Sequence, residues 1–180
     1  MPNLRSLVMV LGFLTLSDRV LGEQVEIYLI DPLDEDRGYC IDIKGHKSKA
    51  KIQRGLQAHT CYSYQGKIAV DQAFDSFLFG KNILYLSVFD VCVRAESMIP
   101  KASLQLERCR EGEELQKFGW DDKGRIYAIA NPRLCITVAQ GEARKGGGGT
   151  PIHLIRNLSL EYCGDLLRLT QQWGFRKVSY

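Results

Sequence analysis

The stretch LTQQW, residues 169–173, places a glutamine two positions before a large aromatic side chain. The same spacing occurs twice more, as QAF at 72–74 and QKF at 116–118. One Q-x-aromatic motif carries little information, but three copies in order indicate an internal repeat, which governs how the rest of the chain is read. The motifs are formed by Gln72 and Phe74, Gln116 and Phe118, and Gln171 and Trp173.

A pair of cysteines precedes each motif. The first cysteine of each pair follows an apolar run around a tyrosine, and it opens an alternating run: CIDI at 40–43, CVRA at 92–95 and CITV at 135–138. Two β-rich runs separated by a few turn residues predict a hairpin. The second cysteines end similar runs, whose candidate inward residues are Leu56, Leu104, Leu106, Leu158 and Leu160.

The spacings indicate three repeats, of which one carries an insertion. The glutamines of the motifs are 44 and then 55 residues apart, and the cysteine pairs of the second and third repeats span 17 and 28 residues. The two glutamine spacings differ by 11 residues, and so do the two cysteine spacings. The segment GEARKGGGGTP, residues 141–151, has the composition of a flexible loop and accounts for that excess. The repeats are therefore placed near 23–80, 81–123 and 124–180.

A helical interpretation is the alternative, because short apolar runs fit either periodicity. Leu104, Leu106, Cys109, Leu115 and Phe118 could share one helix face. The matched threefold order and the β-branched and aromatic residues around the first cysteines favour strands. The sequence therefore predicts an all-β fold with at most one helical turn, near 113–116.

Length and charge restrict the class of protein. A chain of 180 residues fits one domain with a single core. A formal charge of +3, from 24 basic and 21 acidic residues, is too balanced to indicate nucleic-acid binding. No basic stripe interleaved with aromatics is present either, so nucleic acid is not an expected partner.

The N-terminus has the pattern of a secretory signal peptide. Arg5 supplies a positive charge, Leu7 to Leu16 form an apolar run, and Val20 and Gly22 precede a plausible cleavage point. Ten apolar residues are too few to cross about 30 Å of hydrocarbon. A buried N-terminal helix is the alternative. We predict a signal peptide at 1–22, a mature chain at 23–180, secretion to an extracellular or periplasmic space, and no membrane span.

Six cysteines lie in the mature chain. An even number in an exported domain indicates disulfides, although the count alone does not choose among the pairings. No C-x-x-C pair occurs, which argues against a zinc site or a thioredoxin-like redox site.

No set of residues suggests catalysis or a cofactor. The acidic stretch 31–36 does not match an EF-hand loop, and KGGGGT at 145–150 lacks the spacing of a phosphate-binding loop. The histidines, His46, His59 and His153, show no metal-ligand spacing. No nucleophile–base pair can be assembled. The sequence therefore predicts a protein that is not an enzyme and that holds neither a metal nor a cofactor.

Three units of four short strands, one cysteine pair per unit and a closing Q-x-aromatic motif resemble the ricin-type β-trefoil, the R-type lectin domain. The similarity covers about 25–176 and is carried by GYCIDI, LQAHTC and DQAF in the first repeat and by LCITV, LEYC and QQWGF in the third. The chain departs from the family in having phenylalanine in two closing motifs and a long third-repeat loop. The resemblance implies a β-trefoil domain at 23–180.

The resemblance also implies structural roles. Disulfides are expected within repeats, as Cys40–Cys61, Cys92–Cys109 and Cys135–Cys163. Each closing aromatic residue should fill a core shared by the three repeats. Each glutamine lies beside that core and must find backbone partners, so we expect it to pin a turn.

In the family, as the resemblance implies, each repeat can hold one shallow sugar site. An aspartate two residues after the first cysteine accepts hydrogen bonds from the sugar, an aromatic residue before the second cysteine stacks on it, and polar residues of the closing motif add contacts. The matching positions of the first repeat are Asp42, Gln57, His59, Asp71 and Gln72. The second repeat has Arg94 and Glu107, and the third has Thr137 and Glu161, at the aspartate and aromatic positions. Only the first repeat is predicted to bind sugar.

Three functions fit this interpretation. The first is a secreted, galactoside-type carbohydrate-binding module whose partner is a glycan or glycoconjugate. The second is a β-trefoil scaffold for another protein subunit, such as a toxin delivery subunit, without a working sugar site. The third is a protease inhibitor that presents the 141–151 loop, although four consecutive glycines suit rigid presentation poorly.

Overall fold

A computed structural model describes residues 22–177 as an all-β domain with threefold repetition. The first repeat holds β1 (Gln24–Leu29), β2 (Tyr39–Ile43), β3 (Leu56–Thr60) and β4 (Phe74–Asp75). The second holds β5 (Tyr85–Leu86), β6 (Val91–Ala95), β7 (Leu104–Glu107) and β8 (Phe118–Trp120). The third holds β9 (Ile126–Ala128), β10 (Asn131–Val138), β11 (Arg144–Lys145), β12 (Leu154–Arg156), β13 (Leu158–Tyr162) and β14 (Trp173–Arg176). Of the predicted signal peptide, only Gly22 lies within the described residues.

Short helical turns connect the strands. The predicted turn near 113–116 is present as a 3₁₀ helix at Glu114–Gln116. The prediction of at most one such turn was wrong, because 3₁₀ turns are frequent connectors between strands. The others are Lys47–Lys49, Ile52–Arg54, Tyr62–Gln65, Ser76–Lys81 and Asp165–Leu167, the last continuing into the four-residue helix α1 (Arg168–Gln171).

Each repeat is built on an antiparallel hairpin of its two cysteine-bearing segments: β2 with β3, β6 with β7, and β10 with β13. The register is the same in all three hairpins, since Asp42 faces Gln57, Arg94 faces Gln105, and Thr137 faces Ser159. The remaining strands join the repeats to one another. β1 pairs with β14 and β4, and β8 pairs with β9, so the two ends of the described chain lie side by side.

One hydrophobic core is shared by the three repeats. β3, β7 and β13 contact one another pairwise, and each contributes a buried leucine at the matching position: Leu56, Leu104 and Leu158. The closing aromatic residues Phe74, Phe118 and Trp173 are buried as well, and the Trp173 Nε1–H donates to the carbonyl of Ile136 at 2.9 Å. No repeat could cover this much apolar surface alone.

The three expected disulfides are present. Cys40 is bonded to Cys61, Cys92 to Cys109, and Cys135 to Cys163, and no described cysteine is free. Each bond joins the first strand of a hairpin to a cysteine that lies within two residues of the end of its second strand. The prediction of pairing within repeats is confirmed.

The three glutamines of the Q-x-aromatic motifs make the same two backbone hydrogen bonds. In each repeat the side-chain Oε1 accepts from the N–H of the residue after the second cysteine, and Nε2 donates to the carbonyl of the residue before it. The distances are 2.9–3.1 Å, and the partners are Tyr62 and Thr60 for Gln72, Arg110 and Arg108 for Gln116, and Gly164 and Tyr162 for Gln171. The glutamines therefore pin the turn at the second cysteine.

The insertion of the third repeat docks on the first repeat. The sequence predicted a flexible loop at 141–151, but β11 lies within that segment and pairs with β12. β12 in turn pairs with β3, with Ile155 opposite His59 and Arg156 opposite Ala58. The hairpin thus adds two strands to the edge of the first-repeat sheet, which changes the surroundings of the predicted sugar site. Within residues 22–177, no helix is long and apolar enough to cross a membrane.

Candidate functional site

A cavity of about 350 Å³ opens beside β3 in the first repeat, where the resemblance implied a sugar site. We call it the histidine cavity, because all three histidines of the chain line it. Its other walls come from the loop after β2, the 3₁₀ turn after Cys61 and the inserted hairpin. The lining residues are Gly45, His46, Lys47, His59, Tyr62, Gln65, Gly147, Gly148, Gly149, His153 and Ile155.

The five predicted site residues come together, but only His59 lines the cavity. Asp42 is 1% exposed, and Gln57, Asp71 and Gln72 are buried. The expectation that all five form an open lining is therefore corrected: four of them make a buried polar layer. The physical reason is that Asp42, Gln57 and His59 alternate with core residues on β2 and β3, so they share the second face of the sheet. Both strands are buried along their whole length.

Hydrogen bonds account for both carboxylate oxygens of Asp42. Gln57 Nε2 donates to Oδ1 at 2.8 Å, and Gln72 Nε2 donates to Oδ2 at 3.1 Å. Because a buried acceptor is costly when left unpaired, this arrangement stabilises the layer. It also links the closing motif of the repeat to both strands of its hairpin.

Asp71 ties the polar layer to the wall of the histidine cavity. Its Oδ2 accepts a hydrogen bond from the backbone N–H of Lys47, while its Oδ1 has no partner among the described residues. The loop that Asp71 holds turns sharply at Gly45, which has a φ of +146°. A Cβ there would lie 2.6 Å from the Cα of Ala50, so the turn requires glycine.

The two buried carboxyl groups hold protons more readily than exposed ones. Burial, and then the nearby charge of Asp71, raise the pKa of Asp42 well above its ordinary value. Burial also raises the pKa of Asp71, although the backbone N–H of Lys47 acts in the opposite direction. The layer therefore favours a state in which at least one of the two groups is neutral.

His59 has a defined tautomer. Its Nδ1 lies 2.8 Å from the carbonyl oxygen of Thr60, and a carbonyl can only accept, so Nδ1 carries the proton of the neutral ring. The Nε2 lone pair is then left as an acceptor. Burial lowers the pKa of His59 to about 4, which keeps the ring neutral at ordinary pH.

Aromatic contacts cover most of the His59 ring. Tyr62 stacks on it with 5.2 Å between ring centroids, and His153 meets both rings edge-on at 5.1 and 5.2 Å. The hydroxyl of Tyr64 lies 2.8 Å from Nε2 of His153. Since His59 is only 5% exposed, it offers a ring edge rather than an open stacking face.

Polar contacts fasten the inserted hairpin over the first repeat. Arg37 donates from Nη1 to the carbonyl of Pro151 at 2.8 Å and from Nη2 to that of Ile152 at 3.0 Å. The N–H of Leu154 donates to Oγ1 of Thr60 at 2.8 Å. An ion pair of 2.8 Å between Arg156 and Asp34 adds a further connection.

The glycine-rich part of the insertion passes close to His153. Gly149 has a φ of +88°, and a Cβ at this position would lie 2.3 Å from Cδ2 of the His153 ring. Any larger residue would push the loop or the ring away. Burial, and then the charge of Arg37, lower the pKa of His153.

In the other repeats, the side chains at the positions that match the first-repeat site are engaged in contacts within the protein. In the second repeat, Arg94 and Glu107 form an ion pair of 3.7 Å across the hairpin. In the third, Thr137 accepts a hydrogen bond from Gln171 Nε2 at 2.9 Å. Neither repeat places a carboxylate beside an aromatic ring at these positions.

Sequence reasoning missed the residues that build the cavity from outside the predicted set. Lys47 and Tyr62 lie only a few residues after Asp42 and His59, on the segments that follow the two predicted strands. This closeness in sequence could have identified them. Arg37 and His153 had no such signal, because the contacts that matter, from Arg37 to Pro151 and from His153 to Tyr64, join residues about a hundred positions apart. The 11-residue excess revealed the insertion but not where it would dock.

One group of potential metal ligands lies close together in residues 22–177: Glu26, Cys40 and Cys61. The two sulfur atoms are joined in a disulfide, so they are not thiolates and do not bind a metal. The carboxylate of Glu26 pairs instead with Arg176.

Comparison with known proteins finds likeness in structure and not in sequence. No protein-family model matches the chain, and no curated protein sequence is significantly similar to it. Solved structures of β-trefoil lectins are similar. The earthworm lectin C-terminal domain mutant, solved with 6'-sialyllactose, has a TM-score of 0.53 and 14% identity over 86% of this chain and 98% of that one.

Two further structures extend the comparison. The β-trefoil lectin of the Vibrio vulnificus hemolysin/cytolysin, solved with N-acetyl-D-lactosamine, has a TM-score of 0.57 and 16% identity over 88% of this chain and 96% of that one. GalNAc-T7, solved with UDP, GalNAc and Mn²⁺, has a TM-score of 0.52 and 15% identity over 88% of this chain but only 23% of that one. This chain, with its threefold hairpins and intra-repeat disulfides, therefore has the fold of the ricin-type β-trefoil lectin domain.

Proposed function

We propose that this protein is a secreted, non-catalytic carbohydrate-binding module whose one sugar site is the histidine cavity of the first repeat. The observation that carries the proposal is the cavity itself: about 350 Å³ at the site position, with His59 in its wall. That volume lies at the lower end of the range of small-ligand pockets and suits a monosaccharide unit. Secretion is supported by the three disulfides, which are typical of oxidising compartments.

Several lining groups match the hydrogen-bonding pattern of a sugar. A hydroxyl both donates and accepts, so it can donate to Nε2 of His59 and accept from the ammonium of Lys47 or the amide of Gln65. Tyr62 and His153 supply ring surface for the apolar C–H face of a galactoside. In this proposal Asp42 acts behind the wall, where it holds Gln57 and Gln72 in position.

A single small site predicts weak binding. Association costs several kcal/mol of translational and rotational entropy, which the contacts must offset first, and the cavity provides few hydrogen-bonding groups. We expect dissociation constants for simple galactosides of roughly 0.1–10 mM, which correspond to about 3–5 kcal/mol. Tight binding to a surface would require several copies or a partner subunit.

The test compares the three repeats at the same position. A glycan array and calorimetry with methyl β-galactoside are run on the mature wild type and on His59→Ala, Glu107→Ala and Glu161→Ala. The last two variants are matched controls, because Glu107 and Glu161 occupy the position of His59 in the second and third repeats. We expect the wild type and both controls to bind galactosides and His59→Ala to lose about tenfold or more.

Other outcomes would overturn the proposal. Equal loss in Glu107→Ala or Glu161→Ala would move the site to another repeat. Binding that is unchanged in all variants would place the sugar outside the histidine cavity. If the wild type binds no glycan on the array, the proposed lectin function is wrong.

A protein–protein scaffold, such as a toxin delivery subunit, is the second candidate. The observation that favours it is the closure of the site: both oxygens of Asp42 are taken by amides, and His59 is nearly covered. Silence on the array together with capture of one defined subunit from the secretions of the source organism would support this function instead.

A further inference from the structure

A second cavity adjoins the histidine cavity. Its volume is about 240 Å³, and it shares three lining residues with its neighbour: Lys47, Tyr62 and Gln65. We call it the apolar cavity. The residues that belong to it alone are Ser48, Lys67, Ile68, Ala69 and Val70.

The two cavities differ in chemistry. The histidine cavity is walled by imidazole rings and by the glycines of the insertion, whereas the apolar cavity has three consecutive aliphatic residues, 68–70, in its wall. Ile68 and Val70 are half-buried, and neither belongs to the core cluster or to the half-buried side chains packed against it. Their apolar surface therefore faces a concave space rather than the protein interior.

The wall of the apolar cavity is held in place by the polar layer behind it. The backbone N–H of Gln72 donates to the carbonyl of Ala69 at 2.9 Å, which closes a turn directly before the closing motif. Gln72 is itself anchored to Asp42, Tyr62 and Thr60. A preorganised wall of this kind loses little conformational entropy when a ligand binds.

Tyr62 lies where the two cavities meet. Its ring stacks on His59 on one side, and the ammonium of Lys47 lies 5.2 Å from its centroid. A ligand whose polar part occupies the histidine cavity would have to pass Tyr62 to reach Ile68 and Val70. Lys47 and Lys67 border this path, and their aliphatic stems can cover apolar groups while the charges stay in water.

We propose that the apolar cavity is a subsite for the apolar aglycone, aryl or short alkyl, of a galactoside whose sugar occupies the histidine cavity. This inference rests on the proposed function and adds the chemical class of the conjugate. It predicts that the protein distinguishes a galactoside by what is attached to its anomeric oxygen. Burial of the aglycone against Ile68 and Val70 supplies the gain in affinity.

The test is calorimetry with methyl β-galactoside and phenyl β-galactoside, on the wild type and on the double variant Ile68→Thr/Val70→Thr. Both replacements keep a β-branched side chain and make the wall polar, and Ile68→Thr also removes one methyl group from it. Ile99→Thr is the matched control, since Ile99 is 61% exposed and lies in the second repeat. We expect the wild type and Ile99→Thr to bind the phenyl galactoside about fivefold or more tightly than the methyl galactoside.

In the double variant we expect a ratio below about two, with unchanged affinity for the methyl galactoside. Saturation-transfer NMR on the wild type gives a readout that needs no variant: the phenyl protons should receive saturation comparable to that of the sugar protons. A wild-type ratio near one, or a ratio that survives in the double variant, overturns the subsite. Binding of the methyl galactoside with no phenyl gain rejects this inference alone, whereas failure of both ligands rejects it together with the proposed function.

Discussion

At the scale of the residue, the position that the sequence assigned to sugar contact is a buried structural group. Asp42 lies at the position implied by the resemblance, opposite Gln57 in the hairpin register. Its two oxygens nevertheless accept from Gln57 and Gln72, and Asp71 is its charged neighbour. A single carboxylate in such a layer affects stability in a way that depends on pH.

We predict that replacing Asp42 with asparagine changes the pH dependence of stability. Asp42 has a raised pKa when folded and an ordinary one, about 3.9, when unfolded, so the folded state binds the proton more tightly. The free energy of unfolding that depends on Asp42 is therefore fully present below about pH 3.9 and is lost as the pH rises through the folded pKa. The unfolding free energy of Asp42→Asn, relative to that of the wild type, should therefore increase by roughly 1 kcal/mol or more from pH 4 to pH 7.

Urea unfolding at pH 4, 5.5 and 7 measures this difference. Asp36→Asn serves as the matched control, because Asp36 lies exposed in the loop between β1 and β2. A difference in unfolding free energy between wild type and Asp42→Asn that stays constant across this range would show that folding does not raise the pKa of Asp42.

At the scale of the element, the inserted hairpin of the third repeat completes the wall of the first-repeat cavity. β12 extends the edge of the sheet at β3, and His153, directly before β12, contacts Tyr62 and His59. Arg37 holds the segment before β12 through two backbone carbonyls, and its own position is fixed by Glu35 at 2.6 Å. Burial alone would raise the pKa of Glu35, but the hydrogen bonds from Arg37 and Thr60 lower it.

We predict that Arg37→Met loosens the insertion without unfolding the domain. The variant keeps an apolar stem but removes the donors to Pro151 and Ile152. Hydrogen exchange of amides in 146–153 should become about tenfold faster, since hydrogen bonds from a charged group contribute on the order of 1.5–3 kcal/mol. Exchange in β6 and β7 should not change.

Mass-spectrometric hydrogen exchange provides the measurement, with Arg94→Met as the control. Arg94 also forms an ion pair on a hairpin, with Glu107, but in the second repeat. If 146–153 exchanged at the wild-type rate in Arg37→Met, the hairpin would be held by β-pairing with β3 alone.

At the scale of the whole molecule, the three repeats are equivalent in their turns but not in their sites. Each closing glutamine pins the turn around its second cysteine through the same two bonds. Gln72 and Gln171 make one more bond, to Asp42 and to Thr137, at the position that Arg94 occupies in the second repeat. The three repeats are therefore alike in these backbone hydrogen bonds and differ in the side chain at the position of Asp42, Arg94 and Thr137.

We predict that the three glutamine-to-alanine variants differ in cost but unfold in one step. Gln116→Ala should lower the free energy of unfolding by about 1–3 kcal/mol, because it leaves two backbone groups without partners. Gln72→Ala and Gln171→Ala should lower it by more, because each also loses a side-chain partner. Since the three repeats share one core, far-ultraviolet circular dichroism and tryptophan fluorescence should report a single transition for every variant. Gln172→Ala, beside Gln171 but bonded only to an exposed carbonyl, should cost under about 1 kcal/mol.

Chemical denaturation of the oxidised proteins gives both results. Separate transitions for the two probes would show that a repeat unfolds by itself. Equal costs for all four variants would show that the turns do not depend on the glutamines.

The sequence pattern determined the repeat number and the hairpin of each repeat, and its resemblance to a known family implied the disulfide pairing and the role of the glutamines. The repeats and their hairpins depend on contacts within one repeat, which the alternation around Cys40, Cys92 and Cys135 and the Q-x-aromatic spacing encode directly. It also placed the candidate site in the first repeat, by the match of Asp42 and His59 to positions of the family.

The tertiary structure alone decided what surrounds that site. The insertion is attached through Arg37, Thr60 and Asp34 to residues about a hundred positions away, and no local pattern encodes such pairings. Its docking adds a strand at the edge of β3 and places His153 against His59, which helps to cover His59, whereas Asp42 is buried among Gln57, Gln72 and Asp71 of its own repeat. The repeat pattern thus specifies the fold because it is local, whereas the cavity results from packing between the third repeat and the first.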